Sequence, residues 1–176
     1  MIIYFLRHAN AGQKRINPVQ DEKRALDKEG IEQCGYVGRF LNSLNTHVDL
    51  ILSSPLKRAT QTASMVANEI VYEQRIELTP ALRPNAAYES FRELLFKVSG
   101  LEAVMVVGHN PNMSKFLSLL ITGGLSERGI EMKKGSVGRV EMGPKRSELN
   151  WLITPRLVKS AYTSEQVSSR PKTSKK

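Results

Sequence analysis

Three runs of mostly apolar residues divide the chain and predict buried strands. They cover Ile2–Leu6, Val48–Ser53 and Ala103–Val107. Each run is short and shows little polar alternation, which is typical of strands buried on both faces of a parallel sheet. A shorter stretch, Ile76–Leu78, predicts a short strand or an extended link.

Between these runs, apolar residues recur every three or four positions, which predicts helices. The predicted helices cover Lys28–Leu44, Leu56–Ile70, Tyr88–Ser99 and Met113–Ile121. Asp27 is a good N-cap for the first helix, and Ser54 followed by Pro55 predicts a capped start for the second. The polar stretch Asn10–Glu22 is interpreted as a loop over the end of the first strand.

The alternation of strands and helices predicts the fold class. It favours a three-layer α/β/α sandwich with a mostly parallel central sheet. Two later strands, Ser136–Met142 and Leu149–Thr154, are separated by a turn through Gly143-Pro144 and predict an antiparallel edge hairpin. We see no internal repeat.

Length and composition suit a single domain followed by a tail. At 176 residues, with 40% hydrophobic and 24% charged residues, the chain can bury a real core. We expect the domain to cover residues 1–158. Residues 159–176 carry five basic residues, one glutamate and little that could be buried, so we expect a disordered basic tail.

The single cysteine and the short apolar runs bear on the compartment. Cys34 excludes an internal disulfide and sits at an apolar helical position, which favours a reducing cytoplasm. No apolar run approaches the ~20 residues of a membrane span, and the start is interpreted as a strand rather than a signal peptide. We therefore expect a cytoplasmic protein without a membrane partner.

Four side chains suited to phosphate chemistry come after the predicted buried strands. Arg7 and His8 end the first, His109 lies just beyond the strongest, and Arg58 lies in the first turn of the helix after the second. Because ligands bind beyond the carboxyl ends of strands in open α/β sheets, we expect all four at one edge. Two arginines would repel a metal cation, so an anion pocket with a histidine nucleophile or base fits better than a metal site.

The segments around these residues resemble three blocks of the histidine phosphatase superfamily, which includes the cofactor-dependent phosphoglycerate mutases. The blocks are Leu6-Arg7-His8-Ala9, Ser53-Ser54-Pro55-Leu56-Lys57-Arg58-Ala59-Thr60-Gln61-Thr62-Ala63 and Val107-Gly108-His109-Asn110-Pro111. The short length and the pattern Arg24-x-Leu26-x-x-x-Gly30 are similar to the SixA-like phosphohistidine phosphatases. The resemblance covers about Met1 to Trp151 and implies the phosphoglycerate mutase-like fold.

The resemblance also implies roles for the four residues. His8 would be the nucleophile and become transiently phosphorylated, while Arg7, Arg58 and His109 would bind the phosphoryl oxygens. No cofactor and no metal is implied. Phosphoryl transfer depends mainly on positioning and charge stabilisation, which these side chains can supply.

Two positions depart from the superfamily pattern. Ala9 stands where glycine is usual, which disfavours a positive φ there. The region from Ile76 to Tyr88 has no clear match to the glutamate that donates a proton in the mutases; Glu77, Glu89 and Asp21 are the available carboxylates. An alkoxide leaving group needs such an acid, whereas an imidazole with a conjugate acid of pKa ~6.5 leaves with little help. The missing acid therefore favours cleavage of a P–N bond.

These observations predict a phosphatase that hydrolyses phosphohistidine in a protein. As the family implies, the substrate would be a signalling protein such as a histidine-phosphotransfer domain. A small-molecule phosphomonoesterase of the same fold is the first alternative. The net charge of +9 raises a nucleic-acid-binding module as another, although part of that charge lies in the tail.

Several polar residues near the blocks have less defined roles. Asn10 and Asn110 could donate hydrogen bonds to a phosphate, or they could cap helices and form hydrogen bonds within loops. Ser54 could support the site as well as cap a helix. Asp21 lies in the loop after the nucleophile. We interpret His47 as exposed.

Overall fold

The computed structural model describes residues 1–168, in which six strands form one sheet. The strands are β1 (Ile2–Arg7), β2 (Leu50–Ser53), β3 (Glu77–Leu78), β4 (Ala103–Gly108), β5 (Val137–Met142) and β6 (Ser147–Ile153). Their order in the sheet is β3-β2-β4-β1-β5-β6. The first four run parallel, whereas β5 pairs antiparallel with β1 and with β6.

Six helices flank the sheet within the same residues. They are α1 (Pro18–Glu22), α2 (Lys28–Ser43), α3 (Lys57–Glu69), α4 (Tyr88–Lys97), α5 (Asn112–Ile121) and α6 (Pro155–Ser168), with a 3-10 turn at Pro80–Leu82. The predicted α/β fold, with a mostly parallel sheet and an antiparallel edge pair, is confirmed.

Alternating side chains of the central strands build two separate cores. In β1, Ile3 and Phe5 pack on one face with residues of α4 and α5. Tyr4 and Leu6 point to the other face and pack with residues of α2 and α3. The period of two along a strand thus makes both faces of the sheet apolar, which is why the run showed no polar alternation.

Two local predictions are wrong, one of a loop and one of a helix cap. The loop predicted over Asn10–Glu22 contains α1, which Asn17 caps by accepting from Val19 N and Gln20 N. Helix α3 begins at Lys57 without a side-chain cap, so Ser54 is not its N-cap. Ser54 still belongs to the strand end, where its N–H donates to Val107 O. The N-cap predicted at Asp27 is confirmed, since its carboxylate accepts from Gly30 N.

Residues 159–168, the described part of the expected tail, belong to helix α6. Helix α6 continues to Ser168 and packs along α2. Val158 is buried, and the Lys159 ammonium lies 5.7 Å from the centre of the Tyr36 ring. These two contacts supply the stabilisation that the polar composition did not suggest. Residues 169–176 lie outside the described residues.

No helix in the described part of the chain combines the length and the apolar character that a membrane span requires.

Helix α2 contacts the segment after β1 through Gly30. A Cβ placed on Gly30 would lie 1.9 Å from Asn10 O, so no larger residue fits without moving the backbone. Asp27 N also donates to Asn10 O. The start of α2 therefore fixes the backbone just beyond His8.

Candidate active site

The strand order brings the predicted residues to one edge of the sheet. β4 lies between β2 and β1, so the segments that come directly after these three strands are neighbours. Arg7 ends β1 and His8 is the next residue, Arg58 lies in the first turn of α3, and His109 comes directly after β4. The imidazole rings of His8 and His109 have centroids 4.8 Å apart.

His8 is buried in an orientation that leaves one ring nitrogen for chemistry. Its Nδ1 lies 2.8 Å from Ala9 O, and since a carbonyl only accepts, Nδ1 carries the proton. Nε2 therefore has a free lone pair when the ring is neutral. Burial lowers the pKa of His8 to about 3; the bond to Ala9 opposes this, and the charges of Arg58, Arg7 and Arg24 add to it. At neutral pH the ring is an uncharged nucleophile or base.

His109 is the more deeply buried of the two histidines. Its pKa is lowered to about 2. Burial is the main cause, and electrostatic interactions with His8, Arg58, Arg7 and Arg24 lower the pKa further. Nε2 lies 2.9 Å from Ser54 Oγ, whereas Nδ1 is buried without a protein partner among the described residues. An anion brought against this ring would raise its pKa and favour the charged form.

Both predicted arginines also keep a buried Nε without a protein partner in the described chain. Arg7 donates through Nη1 to Met132 O at 2.7 Å. Arg58 donates through Nη1 to Asp21 O at 2.9 Å. These two nitrogens and His109 Nδ1 are thus buried hydrogen-bonding groups without a protein partner among the described residues.

The Asp21 carboxylate contacts two arginines, Arg24 and Arg58. Its Oδ1 accepts from Arg24 Nε at 2.9 Å, and its Oδ2 lies 3.4 Å from Arg58 Nη1. Burial raises the pKa of Asp21, but hydrogen bonds from Arg15 N and Arg24 and the charges of Arg24 and Arg58 bring it below its ordinary value. The carboxylate is thus ionised and anchors Arg58.

Arg24 was not predicted as a site residue, although its charge acts on both histidines. The pattern Arg24-x-Leu26-x-x-x-Gly30 contained the signal, but only as a family feature. Thr62 was also missed. Its Oγ1 accepts from Ala9 N at 3.1 Å and donates to Arg58 O at 2.7 Å, which ties the backbone after His8 to the start of α3.

The two asparagines are held by protein groups. Asn110 donates to Met132 O at 2.9 Å and accepts from Ser114 N. It therefore links the segment after β4 to Met132 and to the start of α5. Asn10 donates to Glu29 and accepts from Lys134 at the rim. The observed contacts of Asn10 and Asn110 are thus hydrogen bonds within the protein, as in the alternative that gave them capping and loop roles.

The candidate proton donors do not lie free beside the histidines. Glu77 and Glu89 are exposed, on β3 and at the start of α4, and Asp21 is paired with arginines. His47 is exposed as predicted, and its Nε2 lies 3.4 Å from Asp49 Oδ1. Within the described residues, no group of three histidine, cysteine or carboxylate side chains could hold a metal ion.

The low pKa values of His8 and His109 predict that stability falls with acidification. In the unfolded chain both rings bind a proton near pH 6.5, whereas in the folded protein they remain neutral to about pH 3 and 2. The unfolded state thus binds more protons below pH 6.5, and the free energy of unfolding falls by up to about 1.4 kcal/mol per pH unit for each ring.

Urea unfolding between pH 6.5 and 4.5 measures this slope. We expect the double variant His8→Gln/His109→Gln to have a clearly shallower slope than the wild type, and His47→Gln to keep the wild-type slope. An equal slope in the double variant and the wild type would show that these rings are not buried in neutral form.

Comparisons with known proteins agree with the fold. Phosphohistidine phosphatase SixA of Escherichia coli K12 is 23% identical over 163 residues, which cover 92% of this chain and 98% of the relative. A structure of the protein histidine phosphatase SixA complexed with tungstate aligns with a TM-score of 0.80 at 20% identity, covering 90% and 99% of the two chains. The α-ribazole phosphatase of Shigella flexneri aligns with a TM-score of 0.70 at 16% identity, covering 88% and 97%.

The family model of the histidine phosphatase superfamily (branch 1) matches residues 3–94, which include His8 and Arg58. This match spans more than half of the chain. Taken with the sheet and the buried histidine pair, it shows that the chain belongs to the histidine phosphatase superfamily, and this membership supports a phosphatase activity.

Proposed function

We propose that this phosphatase hydrolyses phosphohistidine in a protein through a phosphorylated His8. One observation carries the proposal: a neutral His8 stands among three arginines, while the nearby carboxylate, Asp21, is bound to two of them. The site thus has a nucleophile and positive charge. The other two carboxylates whose charge reaches its arginines are also paired, Glu22 with Arg83 and Glu131 with Lys133. The relative named phosphohistidine phosphatase supports the choice of substrate.

In the first step, His8 Nε2 attacks the phosphorus opposite the leaving nitrogen. A P–N bond forms to His8 as the P–N bond to the substrate histidine breaks, and the substrate imidazole leaves as a neutral ring because its other ring nitrogen carries a proton. The Nδ1 bond to Ala9 O holds the ring so that Nε2 carries the lone pair. Arg7, Arg58 and His109 stabilise the charge on the phosphoryl oxygens, and each such donor can lower the barrier by ~3 kcal/mol.

In the second step, water attacks the phosphorus of phospho-His8. The P–N bond to Nε2 breaks, inorganic phosphate leaves and the neutral ring is restored. Both protons of the water stay with the phosphate, which leaves as dihydrogen phosphate, while Nδ1 keeps its proton and Nε2 regains its lone pair, so the cycle needs no further residue to balance it.

The leaving group explains why a missing acid is tolerable. Imidazole has a conjugate acid of pKa ~6.5 and departs readily, whereas a sugar alkoxide requires a positioned proton donor. Three guanidiniums supply the charge that a metal ion would otherwise provide, so we propose a metal-independent reaction without a cofactor. We further propose a cytoplasmic role in phosphorelay signalling, with a histidine-phosphotransfer domain as a candidate substrate.

Initial rates on three substrates test the proposal. We expect kcat/KM for phosphohistidine to exceed that for glucose 6-phosphate by at least about 100-fold, because only the sugar needs an acid. p-Nitrophenyl phosphate, an ester with a good leaving group, should lie between them. A clear preference for the sugar phosphate would refute the proposal and favour a small-molecule phosphomonoesterase.

A further inference from the structure

A basic cleft lies beside the catalytic cluster. The segment from Ala11 to Arg15 and helix α1 enclose about 670 Å³, which Lys14, Arg15, Lys23 and Arg24 line with positive charge. Asp27 is the carboxylate that lines the same cleft, and its Oδ1 already accepts from Gly30 N.

Three of these cations have no carboxylate partner within the described residues. Lys14, Arg15 and Lys23 are exposed, and none of them forms an ion pair within residues 1–168. The fourth, Arg24, is paired with Asp21. Unpaired cations collected around a concave surface produce a positive potential that attracts anionic groups.

The cleft shares Arg24 with the site of the proposed chemistry, since Arg24 lines the cleft and its charge acts on both His8 and His109. Arg24 donates through Nη1 to Ala11 O at 2.7 Å, three residues after His8. Asp21 accepts from Arg15 N at 2.9 Å and also contacts Arg58. A ligand whose phosphoryl group reaches His8 therefore has its neighbouring atoms beside the cleft.

Exposed apolar residues at the same place favour a protein over a small ligand. Ile16 is fully exposed and directly follows Arg15, and Val19 is 63% exposed in helix α1, so both lie next to residues that line the cleft. A small anion cannot bury these apolar side chains, whereas a protein surface can cover them while its carboxylates pair with the lysines.

We propose that this basic cleft binds aspartate or glutamate side chains that flank the phosphohistidine of the protein substrate. The proposal rests on the phosphohistidine phosphatase activity proposed above. It makes Lys14 and Lys23 specificity determinants: they select acidic surroundings of the phosphohistidine, and the catalytic cluster performs the reaction.

Two synthetic phosphohistidine peptides test the proposal, one with glutamates around the phosphohistidine and one with glutamines at the same positions. We expect the wild type to prefer the acidic peptide by about tenfold in kcat/KM at low salt, and to lose most of this preference in high salt. In the variant Lys14→Glu/Lys23→Glu the preference should disappear or reverse.

Lys145→Glu is the matched control. Lys145 is exposed in the turn between β5 and β6, at the opposite end of the sheet, so this charge reversal should keep the wild-type preference. Equal kcat/KM on both peptides in the wild type, or the same preference in the double lysine variant, would overturn the proposal. Hydrolysis of neither peptide by the wild type would instead refute the phosphohistidine phosphatase activity itself.

Discussion

Replacing His8 with alanine is expected to reduce kcat/KM for phosphohistidine by at least about 10⁴-fold, because the bond-forming nitrogen is removed. The remaining arginines can still bind a phosphoryl group but cannot accept it. Rates should be measured on purified protein whose unfolding midpoint in urea has been compared with that of the wild type.

His47→Ala is the control for this loss. The His47 side chain is 82% exposed and lies outside the cluster, so its removal should leave the rate within about twofold of wild type. A folded His8→Ala variant with more than about a tenth of the wild-type rate would refute the role of His8 as nucleophile.

Arg58→Ala is expected to lower kcat/KM by about 10²- to 10³-fold, since Arg58 is buried in the first turn of α3 and is proposed to stabilise charge on the phosphoryl group. The loss should be accompanied by weaker inhibition by tungstate, which mimics the phosphoryl group. Arg58→Lys should recover only part of the rate, because an ammonium lacks the planar fork of donors.

Lys57→Ala is the matched control for Arg58. Lys57 is the adjacent residue of α3 and is exposed, so its removal tests whether loss of one positive charge near the site is sufficient to slow the reaction. We expect less than about a threefold change. Equal losses in Arg58→Ala and Lys57→Ala would indicate a general electrostatic effect instead of a contact with the substrate.

The sheet and the position of the histidine cluster result from features that the sequence contains locally. The apolar runs of β1, β2 and β4 are nearly unbroken, and the carboxyl ends of parallel strands lie at one edge of the sheet. Arg7, His8 and His109 could be placed because each lies within a residue or two of a strand end.

Features that depend on contacts between distant segments could not be predicted in the same way. The role of Arg24 becomes visible only when the chain after β1 folds back and Asp21 reaches Arg58. Thr62 acts through Ala9, 53 residues away in the chain. Ser54 followed by Pro55 is a pattern typical of a helix N-cap, but the Ser54 hydroxyl is instead within hydrogen-bond distance of His109 Nε2.

Helix α6 illustrates a tertiary contact that overrides composition. The segment from residue 159 is polar and basic, which predicts disorder. Packing of Val158 and the contact of Lys159 with Tyr36 on α2 provide a surface on which a helix forms. Composition alone could not reveal that α2 presents this surface.

Trapping the phosphorylated enzyme tests the central claim most directly. The protein is mixed with phosphohistidine, quenched with alkali within the first turnover and digested, and the phosphorylated peptide is sequenced by mass spectrometry. We expect one phosphoryl group on His8 of the wild type and none in His8→Ala. A phosphoryl group on His109 or on another residue, or turnover without any labelled His8, would contradict the account.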